Sequence, residues 1–140
     1  MELADSLPLI WGGTVLASRA SRRIAEALRR ACGRPALAAD ASEIETLLRA
    51  TPTRDMFADP FDEGSDEARP ALVLLDDALL PDRLRETAGT LRRLADGVGA
   101  RVARISSGDD EFEAGDVVRY VTLLQKGLYG AAYLEIGLAD

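Results

Sequence analysis

Gly12-Gly13-Thr14, with Ser18 one helical turn further on, is the first place where this sequence could do chemistry. Small residues there let the backbone approach a ligand, and the amides that open a helix can hold an anionic oxygen. Thr14 and Ser18 would add hydroxyls. The run is not a dinucleotide fingerprint, because the third glycine is missing, nor a Walker loop, because no Lys-Ser or Lys-Thr follows. A tight strand-to-helix turn capped by Thr14 explains the same residues, and both readings stand at this point. Asp76-Asp77 closes an apolar run and serves either as turn and cap or as an acid/base site. Among the arginines that follow the turn, Arg22, Arg23, Arg29 and Arg30 lie three or four positions from Glu26. An exposed ladder of ion pairs is therefore expected of them rather than a grip on an anion. Cys32 has no neighbouring His or Lys and reads as a packing residue.

Composition removes several kinds of chemistry. Histidine is absent, which excludes any His-dependent triad and removes the commonest zinc ligand. A single cysteine allows neither an internal disulfide nor a multi-thiolate site, and it points to the cytoplasm. Aligned with a calcium-binding EF-hand loop, Asp59 to Pro70 puts Phe61 third and Pro70 twelfth, where oxygen ligands are required. Asp109-Asp110-Glu111 and Glu113 read as solvated loop charges. No metal and no cofactor are expected. With 24 acids against 17 bases the net charge is −7, so nucleic acid and anionic membranes are unfavourable partners. No apolar run approaches the ~20 residues of a membrane span, and Met1-Glu2-Leu3-Ala4-Asp5 is acidic where a signal peptide is basic.

The elements that must position these residues follow from periodicity. At 140 residues and 47% hydrophobic content the chain is expected to form one domain with one aliphatic core. Leu7 to Trp11, Pro35 to Ala39, Ala71 to Leu75 and Arg101 to Ser106 read as strands. Helices are expected over about 16–31, 42–50, from Pro81 to about 96, and 115–138, with Pro81 at a first helical position. Thr51 to Pro70 has no period and reads as a long loop. Strand and helix alternate throughout, which predicts an α/β fold with a doubly wound parallel sheet and helices on both faces. Ligands of such sheets bind beyond the carboxyl ends of the strands, where the glycine turn and both aspartates fall.

Three stretches carry a resemblance: Ser6-Leu7-Pro8-Leu9-Ile10-Trp11-Gly12, Leu72-Val73-Leu74-Leu75-Asp76-Asp77, and Tyr129 with Ala131-Ala132-Tyr133-Leu134 and Gly137. Together they resemble the C-terminal SIS (sugar isomerase) domain of bacterial and archaeal bifunctional phosphoglucose/phosphomannose isomerases, above all actinobacterial ones. The resemblance implies a flavodoxin-like sheet of four to five strands and a phosphosugar ligand. It also implies pairing with a second SIS domain, so that residues 1–140 would be the C-terminal half of a longer protein.

In the functional motifs the chain departs from that family. The family's Asn-Glu-Asn-Ala-Lys falls on Arg29-Arg30-Ala31-Cys32-Gly33, and its Pro-Glu and His-Asn fall on Ser42-Glu43 and Thr46-Leu47. Only Glu43 survives as a candidate catalytic residue, and an acid at a helix start is explained by the helix dipole alone. Enolisation needs a base and a ring-opening acid, so the chain by itself is expected to be inactive, like the degenerate TobH-type relatives of the family. The ligand-contacting residues would be Gly12, Gly13, Thr14 and Ser18. The alternatives are an isomerase half completed by another domain or subunit, and a purely structural dimerisation domain. Gly127, Gly130, Ala131 and Ala132, flanked by Leu124, Leu128, Tyr129 and Tyr133, predict a homodimer or a second SIS domain docked on the terminal helix.

Overall fold

The computed structural model describes residues 6–53, 57, 68–78, 80–108 and 115–139. In chain order the elements are β1 (Ser6–Gly12), α1 (Val15–Cys32), β2 (Leu37–Ala38), α2 (Ala41–Ala50), β3 (Arg69–Asp76), α3 (Asp82–Gly97), β4 (Arg101–Ser106) and α4 (Asp116–Ala139). All strand pairs are parallel, in the order β2-β1-β3-β4. The acidic stretches 59–67 and 109–114, on which the calcium and loop-charge readings fell, lie outside the described residues.

Both faces of the sheet are covered, which is why β1 and β3 are apolar without alternation. Ile10, Val73 and Leu75 pack under α1 and α4 with Ala20, Ile24, Leu28, Leu123 and Leu134. Leu9, Trp11, Leu72 and Leu74 face the other way, onto Ile44 and Leu48 of α2 and Leu91 and Ala95 of α3. The result is the doubly wound parallel fold that the alternation of elements predicts, built on two apolar layers. No described helix is long and apolar enough to cross a membrane.

Several boundaries differ from the sequence expectation for local reasons. The second strand shrinks from 35–39 to Leu37–Ala38, paired only with Leu9 and Ile10 of β1. Pro35 has no N–H to offer a ladder, and the Ala36 carbonyl accepts instead from the Arg29 guanidinium at 2.9 Å. Strand β3 starts at Arg69, because Arg69 and Pro70 still pair with Ser6 and Leu7. Pro81 is the residue before α3 rather than its first helical residue, and its carbonyl accepts from Leu84 and Arg85. Helix α1 ends where Gly33 turns left-handed at φ 64°, its amide donating to the Arg29 carbonyl.

Candidate functional site

Helix α1 begins at the carboxyl edge of β1, beside α2 and α3, and these elements enclose an open cleft of about 580 Å3. The cleft opens beyond the carboxyl end of β1, among the starts of α1, α2 and α3. Strand β1 is one of the two strands between which the strand order reverses, the region where ligands of doubly wound sheets bind. All four sequence-predicted contact residues, Gly12, Gly13, Thr14 and Ser18, line it. Glu43 does not: it sits exposed in the first turn of α2, whereas Asp40 and Ala41 face the cleft.

Packing within the chain already accounts for the two glycines. A Cβ on Gly12 would lie 2.3 Å from the carbonyl carbon and oxygen of Ala17, so β1 ends directly against the backbone of α1. On Gly13 it would meet the Trp11 ring at 2.8 Å. Thr14 caps α1, its Oγ1 accepting from the Ala17 amide at 3.1 Å and donating to Asp77 Oδ2 at 3.1 Å. Its hydroxyl is thus committed to structure, while that of Ser18 has no hydrogen-bond partner among the described residues.

Asp77 is buried beneath this turn and neither ends a helix nor faces the cleft. Its Oδ1 accepts from Arg119 Nε at 2.6 Å, and Arg119 also donates to Asp116 Oδ1 at 2.5 Å. Burial alone would lower the Arg119 pKa, but hydrogen bonds to Asp77 and Asp116 and their charges outweigh it and hold the group above the ordinary arginine value. The chain Thr14–Asp77–Arg119–Asp116 ties the β1–α1 turn, the end of β3 and the start of α4 into one network centred on the buried Asp77–Arg119 pair.

Arginines are what the sequence reading missed. Among the described residues Glu26 pairs with Arg23, at 3.6 Å, and Arg30, at 2.8 Å, and Arg29 is spent on Ala36. The expected ladder therefore stops short: Arg22 has no ion-pair partner among the described residues, and neither has Arg19. Both line the cleft, and Arg83 of α3 joins them from across it, also unpaired. One signal for this was legible. Arg19 and Arg83 sit near helix starts, where the dipole disfavours cations, and the first turn of α1 holds no acid.

Against these three arginines the cleft sets one carboxylate among the described residues, Asp40, whose side chain makes no cap bond to α2. A chain of net charge −7 thus presents a locally cationic crevice with hydroxyls of Ser18 and Thr87 on its wall. Fold and cleft together define a doubly wound parallel α/β domain with an arginine-lined crevice at its topological switch point. No model of a known protein family, no curated protein and no solved structure matches the chain.

The terminal helix divides its small residues between two neighbourhoods. A Cβ on Gly127 would come within 2.4 Å of Ile24 Cδ1, and Ala131 is buried, so this pair serves the contact of α4 with α1. Gly130 faces open space. Around it Tyr129, Tyr133 and Ile136 are exposed by 65%, 74% and 64%, leaving an apolar outer face.

Proposed function

We propose that this chain is a phosphosugar-binding domain of SIS type, without isomerase activity of its own. The observation that carries the reading is the convergence of Arg19, Arg22 and Arg83, none of them ion-paired among the described residues, on the cleft at the switch point. A phosphate dianion satisfies such a set through charge-assisted hydrogen bonds, and helix geometry leaves the first amides of α1 without intrahelical acceptors beside it. The sugar hydroxyls would meet Ser18, Thr87 and the Asp40 carboxylate, which suits a polyol better than an apolar ligand. Among the described residues Asp40 is the only carboxylate in the lining, and one carboxylate does not make the acid and base pair that enolisation requires. The exposed outer face of α4 supports assembly with a second copy or a second SIS domain, through which an active isomerase could still be completed. A reducing cytoplasmic setting fits the single free thiol.

The lone Trp11 lines the cleft and reports on it. Titrated with fructose 6-phosphate, mannose 6-phosphate and fructose, Trp11 fluorescence should saturate with the phosphates and not with the neutral sugar. Arg22→Ala and Arg83→Ala should each weaken binding about tenfold, the worth of one charge-assisted hydrogen bond. Equal binding of fructose, or variants that bind as the wild type does, would contradict the proposal.

A further inference from the structure

We infer that a second cleft, on the far side of Trp11, binds a small organic anion with a flat apolar body, independently of the phosphosugar reading. The cleft has a volume of about 370 Å3 and opens between α3 and the carboxyl ends of β3 and β4. Trp11, Leu74 and Leu80, all buried, make its floor. Arg85, Arg92 and Arg104, all exposed, make its rim. Arg85 is oriented by donating from Nε to the Leu80 carbonyl at 3.1 Å, and Arg104 pairs with Asp76. Arg92 has no partner among the described residues, so the rim keeps a net positive charge in an acidic chain.

Gly89 supplies an independent observation. It sits inside α3, where glycine weakens a helix, yet a Cβ there would meet nothing within 4 Å. No contact among the described residues explains it, and Gly89 itself lines the cleft. An apolar floor with a few convergent charges is the usual make-up of a small-molecule site, and a planar ring would lie against Trp11 and Leu74 with its anionic group on Arg92 and Arg104.

The test uses phenyl phosphate as probe, with inorganic phosphate as control, and follows the Gly89 amide by NMR on the intact chain. Phenyl phosphate should shift Gly89 and saturate, and inorganic phosphate should bind at least tenfold more weakly. Arg92→Ala should weaken the probe about tenfold. Gly89→Leu should abolish binding while raising the melting temperature, which separates a filled cleft from a failed fold. In both variants the response of Trp11 to fructose 6-phosphate should stay within twofold of wild type, whether or not that sugar binds strongly. Shifts confined to the first turn of α1, equal binding of inorganic phosphate, or unchanged affinity in Gly89→Leu would each overturn the inference.

Discussion

Replacing Asp77 with alanine should cost about 3 kcal/mol of folding stability, because it strands a buried cation. The carboxylate is 2% exposed and holds both Arg119 Nε, at 2.6 Å, and the Thr14 hydroxyl. Removing one member of a buried pair typically costs ~3–5 kcal/mol. Here the lower end applies, since Arg119 keeps Asp116, whose side chain is 75% exposed and well hydrated. For a chain of this size the loss corresponds to a fall in Tm of about 10 °C. Urea unfolding followed by Trp11 fluorescence gives the value, and the slope against urea should not change, because the exposed surface is the same. The raised Arg119 pKa also sets a sign. Its stabilising contribution is complete below the ordinary arginine value and is lost only as pH rises through the higher folded value. The difference between wild type and Asp77→Ala should therefore be constant between about pH 7 and pH 10. A loss under about 1 kcal/mol would refute the reasoning, since the guanidinium would then be satisfied by water and the network would not hold the turn.

Three further outcomes follow from packing. Gly12→Ala should destabilise by about 1–3 kcal/mol in the same urea assay, because its Cβ must push the α1 backbone away from β1. Gly127→Ala should also destabilise, and Ile24→Ala in the same chain should recover part of the loss by removing the Cδ1 and Cγ1 atoms that the new methyl meets at 2.4 Å; a double-mutant cycle with no coupling would place Gly127 elsewhere. Gly130→Ala, free of contacts, should gain up to about 1 kcal/mol of helix stability, whereas Gly130→Leu should dissociate a dimer seen by sedimentation if α4 is the interface.

Much of the fold is legible in the residues because burial on two faces leaves a signature: Ala71 to Leu75 has no polar interruption, and β3 is covered by helices on both sides. The Thr14 cap and the Gly33 stop are equally local, and both are where the residue types put them. What depends on distant partners is not legible. Gly127 and Gly130 look alike in sequence, and only the position of α1 makes one a packing glycine. Nothing near Arg119 in the sequence marks it as buried, and its burial rests on Asp77, forty-two residues away. The arginines of α1 mislead differently. Spacing shows which of them can reach Glu26, but that carboxylate pairs with Arg23 and Arg30, Arg29 turns to the Ala36 carbonyl, and Arg22 faces the cleft. Arg83 completes the set only through the meeting of α3 with the β1–α1 turn, which no local pattern encodes.

The central claim, that the cleft at the switch point takes a sugar phosphate, is tested most directly by a crystal structure of the chain grown with fructose 6-phosphate. The account predicts the phosphate among Arg19, Arg22 and Arg83 at the start of α1, with the sugar hydroxyls toward Asp40 and Thr87. A fully occupied ligand elsewhere on the surface, or an empty cleft at saturating ligand, would contradict it.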